Sequence, residues 1–303
     1  MKNLLKLQDM STEEITAVLD LADQLKYERK HNIPHPHLAG KSVGLIFQKS
    51  STRTRVSFET GVYQLGGQPL FLSSRDLQIG RGEPVQDTAR VLSRYLNMIM
   101  IRTYEQKEVE DLAKYGSIPV INGLTDYCHP CQVLADLMTI REKYGVLDGL
   151  KMTYIGDGDN MANSLIVGGL RMGMKVAVAT PEAYRPDPEI LKWASQNKDF
   201  TFTNDPKEAA ADADAVFTDT WVSMGMEEQK EKRVRDFAGY TVDDELMGLA
   251  KPGAMVLHCL PAYRGYEITE KVFEDHADEI FEEAENRLHA QKAVMVKLMR
   301  DNA

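Results

Sequence analysis

Short apolar runs alternate with helical patterns along almost the whole chain, and that alternation leaves few folds open. Apolar runs at 42–47, 69–72, 98–101 and 118–121 are separated by stretches with apolar residues at helical spacing, one from about Arg53, then 84–95 and 109–115. Strands separated by helices pair in parallel, with the helices covering both faces of the sheet. A second series has apolar runs at 152–155, 176–179, 215–218 and 255–260, with helical patterns at 162–172 and 188–195. Between the two lies a longer helical pattern, 132–144, ended by Gly145. A last one, 287–299, carries Leu288, Val294, Met295 and Leu298 on one face, and its packing partner is not readable from pattern. The fold class expected is α/β with two domains, each a mainly parallel sheet flanked by helices. A length of 303 residues suits two cores.

Ser11-Thr12-Glu13-Glu14 precedes Ile15, Val18, Leu19, Ala22 and Leu25, the signature of a capping box opening an amphipathic helix. Structure is thus expected almost from residue 1, with no targeting extension. No window approaches the roughly 18 apolar residues of a membrane span. The expected location is therefore the cytoplasm. A formal charge of −10, from 36 basic and 46 acidic residues, works against general attraction to nucleic acid or anionic membranes. Any anionic ligand must be held by a local positive site.

One such site is expected at Ser51-Thr52-Arg53-Thr54-Arg55. The apolar run ends at Phe47, and helical spacing resumes at Phe58, Val62 and Leu65, so the segment lies where a helix begins. Unpaired N–H groups and the helix dipole favour an anion there, with Ser51, Thr52 and Thr54 adding hydroxyls and Arg53 and Arg55 adding charge. The segment by itself fits equally a helix cap followed by two surface arginines. Gly156-Asp157-Gly158-Asp159-Asn160-Met161 invites a dinucleotide reading, but Met161 stands at the third glycine position and two aspartates crowd the place of a pyrophosphate. Cys128-His129-Pro130-Cys131 has the spacing of a redox pair or half a zinc site, yet no second ligand pair completes it. The charge run 227–235 reads as a solvated surface segment.

Four further segments fall at ends of apolar runs: Ile101-Arg102-Thr103, His129-Pro130-Cys131-Gln132, Asp219-Thr220-Trp221-Val222-Ser223-Met224-Gly225 and His258-Cys259-Leu260-Pro261. With Ser51 to Arg55 they resemble the motifs of the transcarbamoylases, the last two those of the family's ornithine branch, and the resemblance runs through essentially the whole chain. It implies a transferase that moves the carbamoyl group from carbamoyl phosphate to the side-chain amine of L-ornithine, giving citrulline and phosphate. It implies a carbamoyl phosphate domain over 1–145, with helix 287–303 packing back onto it, and an ornithine domain over 146–286. Two helices, 132–144 and the terminal one, would join them. Ser51, Thr52, Arg53 and Thr54 would hold the phosphate, while Arg102, His129 and Gln132 surround the carbamoyl group and Arg287 completes that pocket. Gln78 matches a loop that reaches a neighbouring subunit, so a homotrimer or a multiple of it is implied. On the acceptor side the matching residues are Asn160, Asp219, Ser223, Met224, Cys259 and Leu260.

Carbamoyl transfer needs a neutral amine, a stabilised oxyanion and a leaving phosphate. Arg102, His129 and Thr54 are donors suited to the oxyanion, and Cys259 with Asp219 is placed by the resemblance to relay or orient the amine proton. The amine is itself the nucleophile, so the reading calls for no cofactor and no metal. Gly225 is expected to belong to a moving loop. Putrescine or an N-acylated ornithine are rival acceptors: the first has no α-carboxylate for Asn160, the second no α-amino charge for Asp219. A noncatalytic phosphate-binding regulator is the rival outside enzymes.

Overall fold

The computed structural model describes residues 1–75, 77, 82–223 and 227–303. Gln78, Met224 and Gly225 therefore lie outside the described residues. The chain divides into two compact units, Met1–Met138 with Asn286–Ala303, and Thr139–Glu285.

The first unit opens with α1 (Thr12–Lys30), whose capping box is present: Glu14 N–H donates to the Ser11 hydroxyl and the Glu14 carboxylate accepts from Ser11 N–H. There follow β1 (Ser42–Phe47), α2 (Thr52–Gln64), β2 (Gln68–Ser73), α3 (Val85–Tyr95), β3 (Met98–Arg102), α4 (Gln106–Tyr115) and β4 (Val120–Leu124). α5 (Pro130–Tyr144) leaves this unit. The second unit contains β5 (Lys151–Ile155), α6 (Asn160–Arg171), β6 (Lys175–Ala179), α7 (Pro188–Ala194), β7 (Phe200–Thr203), α8 (Pro206–Ala210) and β8 (Ala215–Thr218). It continues with α9 (Lys230–Asp236), α10 (Asp244–Met247), β9 (Met255–His258) and α11 (Glu270–Asp275). α12 (Ala277–Asp301) then carries the chain back to the first unit, so both unit boundaries fall inside helices.

Each unit is built on a wholly parallel sheet, ordered β2-β1-β3-β4 in the first and β7-β6-β5-β8-β9 in the second. Both orders reverse direction once, between β1 and β3 and between β5 and β8. Loops leaving the carboxyl ends of such a strand pair diverge to opposite faces and open a crevice. The segments after β1, β3 and β8 carry three of the motifs and the turn after β5 carries Asn160, while the motifs at His129 and His258 follow the neighbouring strands β4 and β9. Interior strands are apolar on both faces, as in β1 with Val43, Leu45, Ile46 and Phe47 and β8 with Ala215, Val216 and Phe217, because helices cover both sides.

Three departures from the sequence reading have local causes. β7 was not expected: Phe200-Thr201-Phe202-Thr203 is a four-residue edge strand whose polar flanks, Asp199 and Asn204, hide it. β9 stops at His258 rather than at residue 260 because Leu260 takes a left-handed conformation, φ 59. α12 begins at Ala277, ahead of the expected residue 287, its first turns being too acidic to show an apolar stripe. Within the charge run 227–235, residues 228–232 and 235 are exposed, but Arg233 is buried and corrects the reading of the run as a solvated segment throughout.

In the first unit the partner of α12 is α2. A side chain at Gly61 would stand 3.2 Å from Lys292 Cγ and 3.3 Å from Met295 Cε, so the absence of one lets the two helices approach. This contact buries Lys292 completely, its ammonium 2.8 Å from His35 Nε2 and donating to Gln64 Oε1 at 3.1 Å. Burial, with Arg29 nearby, lowers the Lys292 pKa to about 8. The unfolded lysine keeps its proton to about pH 10.4, so between these values the unfolded state binds more protons and this group makes stability rise with pH. Lys292→Met is expected to remove that rise. Urea midpoints of both proteins at pH 7, 8.5 and 10 test it, and parallel curves would refute it.

Candidate functional site

In the first unit, Ser51 caps α2. Its backbone is extended, φ −163, and its hydroxyl accepts from Thr54 N–H at 3.2 Å. That geometry points Thr54 inward, where it is fully buried. Its hydroxyl oxygen is a meeting point: Ser51 Oγ lies at 3.1 Å, Arg287 Nη2 donates at 2.9 Å and Arg102 Nη1 at 3.4 Å. Arg287 also donates to the Gln132 side-chain oxygen, and the Gln132 amide donates to Asp136 at 2.8 Å, which fixes which way the amide faces.

Arg102 owes its place to an irregularity. The β3/β4 register skips Gly123 between Ile101↔Asn122 and Arg102↔Leu124. A Cβ at Gly123 would stand 2.5 Å from Met100 Sδ, so a larger residue would push the strands apart there. The Arg102 carbonyl in turn accepts from Gln48 N–H at 2.9 Å, tying the end of β3 to the turn before α2. His129 is buried at the start of α5, and burial, then Arg287, Arg102 and Lys49, hold its pKa well below the usual value. It is a neutral hydrogen-bonding imidazole there, not a cation.

Thr52 is exposed and Arg53 half-buried in the first turn of α2. Arg55 is directed elsewhere: its Nε donates to Glu59 at 3.0 Å and its guanidinium lies 3.6 Å from the Phe71 ring centroid. Lys49, buried and 3.1 Å from Asp126, was not singled out in the sequence. Cys128 and Cys131 are buried thiols that burial pushes up to about 12, with Cys131 donating to the Asn122 carbonyl at 3.4 Å. Such thiols are poor nucleophiles and poor metal ligands.

In the second unit, the turn after β5 and the segment after β8 lie together. Gly158 is required by backbone packing, since a Cβ there would stand 2.3 Å from the Tyr184 carbonyl and from Pro186 N. Asp159 caps α6 by accepting from Met161 N–H at 3.0 Å, and its other oxygen is 3.5 Å from the Ser223 hydroxyl. Asn160 is the first residue of α6. The buried Arg233 guanidinium pairs with Asp157 and donates to the Trp221 carbonyl at 2.9 Å, so it joins the turn after β5 to the segment after β8.

Asp219 is buried, accepts from Thr220 N–H at 2.7 Å and receives the Cys259 thiol. Burial pushes its carboxyl above the usual carboxylate range, against the opposing effects of His258 and these two donors. His258 organises the end of β9. Its Nδ1 accepts from Leu260 N–H at 2.9 Å and its Nε2 faces Glu267 at 3.1 Å, so the ring proton sits on Nε2. The bond to Leu260 helps hold that residue's left-handed backbone, which sets the direction of the Cys259-Leu260 turn. Ligand atoms of Asp219, His258 and Cys259 lie within 4.8 Å of one another, a spacing open to a metal ion. Both His258 nitrogens are already engaged, however, so an ion would have to displace one of these bonds.

The structure thus brings Ser51, Thr54, Arg102, Gln132 and Arg287 together in one unit, with His129 within reach of the same arginines. It brings Asp219 and Cys259 together in the other. Arg233 and His258 were missed as organising groups: the first lay in a charge run, the second in a motif whose histidine had no assigned task.

Residues 2–142 match the family described as aspartate/ornithine carbamoyltransferase, carbamoyl-P binding domain, and residues 148–298 match the corresponding Asp/Orn binding domain. The chain is similar to the ornithine carbamoyltransferase of Caldicellulosiruptor saccharolyticus, 56% identical over 301 residues covering 98% of each chain. Among solved structures, ornithine carbamoyltransferase from Pyrococcus furiosus matches with a TM-score of 0.94 at 50% identity, over 99% of this chain and 97% of that one. The anabolic ornithine carbamoyltransferase from Campylobacter jejuni matches with a TM-score of 0.94 at 44% identity, over 99% of this chain and 100% of that one. Matches of this extent across both units mean that the chain belongs to the aspartate/ornithine carbamoyltransferase family.

Proposed function

We propose that the protein transfers the carbamoyl group of carbamoyl phosphate to the side-chain amine of L-ornithine, releasing L-citrulline and phosphate. The observation that carries the donor half is the convergence of Ser51, Arg102 and Arg287 on the Thr54 hydroxyl at the start of α2. The acceptor is supported by relatives named for ornithine across the full length of the chain.

In this reading the first unit binds carbamoyl phosphate and the second binds ornithine. Ser51, Thr52, Arg53 and Thr54 hold the phosphate at the N-terminus of α2, where backbone N–H groups point at it. Arg102, neutral His129 and the Thr54 hydroxyl donate to the carbonyl oxygen as negative charge builds on it, with Gln132 and Arg287 closing that pocket. The ornithine nitrogen forms a bond to the carbonyl carbon, and the C–O bond to phosphate breaks with its electron pair leaving on phosphate. The nitrogen must first be neutral. For an alkylammonium of pKa about 10.4 that costs roughly 4 kcal/mol near neutral pH. Cys259, whose thiol is hydrogen-bonded to Asp219, is the group that orients this nitrogen and relays its proton. Asn160 and Ser223 bind the amino-acid end, and Leu260 faces the side-chain amine with Cys259.

The enzyme belongs to the cytoplasm in this reading; no helix among the described residues is long and apolar enough to cross a membrane. It also works as a homotrimer or a multiple of one, with Gln78 reaching a neighbour. Exposed Leu70 and Phe71 on edge strand β2, just before that segment, support such a contact.

Three measurements test this reading. Incubation with carbamoyl phosphate and a panel of amines should yield ureido product from ornithine in large excess over putrescine and N-acetylornithine; no citrulline from ornithine would end it. Cys259→Ala should lower kcat/KM for ornithine by about tenfold to a hundredfold, with carbamoyl phosphate affinity by calorimetry nearly unchanged. An unaltered kcat/KM removes Cys259 from the mechanism. Light scattering should give a mass of three chains or a multiple, and a monomer mass would discard the shared site.

A further inference from the structure

Tyr154, on β5, is fully buried, yet its hydroxyl has no hydrogen-bond partner among the described residues. A buried hydroxyl in that state is unfavourable unless something arrives to complete it. Its surroundings say what would fit. Thr153 points to the α8 side, where its hydroxyl donates to the Ala209 carbonyl at 2.8 Å, so Tyr154 points to the opposite face, beneath the turn that starts α6. A Cβ on Gly156 would lie 3.3 Å from the Tyr154 hydroxyl and 3.7 Å from the Asp219 carbonyl, which places the phenol at the junction of β5 and β8. The charges acting on it are, in decreasing order, those of Asp159, Asp219 and Asp157, with Cys259 behind them.

These carboxylates are unevenly matched. Arg233 pairs with Asp157, whereas Asp159 and Asp219 are held by neutral donors: a backbone N–H and the Ser223 hydroxyl for the first, a backbone N–H and a thiol for the second. Burial, then repulsion from Asp157 and Asp219, pushes the Asp159 carboxyl well above the usual carboxylate range, and burial raises Asp219 too, so an added cation would relieve the cluster. An alkylammonium carries three N–H donors, and two carboxylates plus a phenol oxygen supply acceptors for all of them.

We propose that the Tyr154 hydroxyl is a further substrate-binding group, accepting one N–H of the amino acid's α-ammonium beside Asp219 and Asp159. The phenol's own proton is then donated to the Asp159 carboxylate, so both hydroxyl valences are used when substrate is bound. The inference rests on the ornithine reading and adds to it a determinant for the α-ammonium as distinct from the side-chain amine.

Two fragments of ornithine separate these ends. L-Norvaline keeps the α-ammonium and lacks the side-chain amine, while 5-aminopentanoate keeps the side-chain amine and lacks the α-ammonium. With carbamoyl phosphate saturating, Tyr154→Phe is expected to raise the KM for ornithine and the inhibition constant of norvaline alike, by about tenfold to a hundredfold. It should leave kcat within a few-fold and the 5-aminopentanoate constant unchanged. Norvaline binding as in the parent enzyme, or equal weakening of both fragments, overturns the assignment. A parent enzyme that makes no citrulline overturns the ornithine reading instead. If Tyr154→Phe does not fold, the parent enzyme labelled at tyrosine Cζ serves: one resonance must shift with norvaline and not with 5-aminopentanoate, and a spectrum unmoved by norvaline refutes the proposal.

Discussion

The reversal of strand order in each parallel sheet is the constraint on which the rest depends. A strand whose neighbours connect to opposite faces leaves a crevice at its carboxyl end that no helix can fill. In the first unit that crevice lies between β1 and β3, and the start of α2 and Arg102 border it. In the second it lies between β5 and β8, bordered by the Gly156 to Asn160 turn and the Asp219 to Ser223 segment. The backbone supplies the place in each case, and side chains supply the sign of its charge.

Those signs are opposite. In a chain of net charge −10, the first crevice collects Arg102 and Arg287 around the neutral oxygens of Thr54 and Gln132, and it keeps His129 neutral. Two guanidiniums converging on one hydroxyl, beside the N-terminus of a thirteen-residue helix, make a site suited to an anion. The second crevice gathers Asp157, Asp159 and Asp219 around a single guanidinium, Arg233, and its surplus of carboxyls suits a cation. An acyl phosphate and a diamino acid are a donor and an acceptor of those signs. The electrostatics therefore follow the same division of labour as the family match, from independent observations.

The sheets were legible in sequence because each interior strand is a short apolar run bounded by polar turns. β7 and the first turns of α12 were not, since an edge strand of alternating Phe and Thr and a helix start rich in acid show neither signal. Within the site, Ser51 to Thr54 could be read from local rules as an anion site or a plain cap. In the sequence the added weight came from the four distant motif segments, and in the structure from Arg287, more than two hundred residues away, whose contact with Thr54 no local pattern encodes. Arg233 was hidden for the opposite reason: six charged neighbours made it look solvated, and only the fold shows that it faces inward to Asp157.

The glycines show the same limit from another side. Gly156-Asp157-Gly158 resembles a phosphate loop because such loops also need residues without Cβ. Here the second glycine is forced by the backbone of Tyr184 to Pro186, and the aspartate after the first is spent on Arg233. The turn is consequently tight and acidic where a dinucleotide loop is tight and electropositive. What distinguishes the two stands in the turn itself, in Asp157, Asp159 and Met161. What its residues do not reveal is that a guanidinium from α9, Arg233, holds the first of those aspartates and ties the turn to the segment after β8.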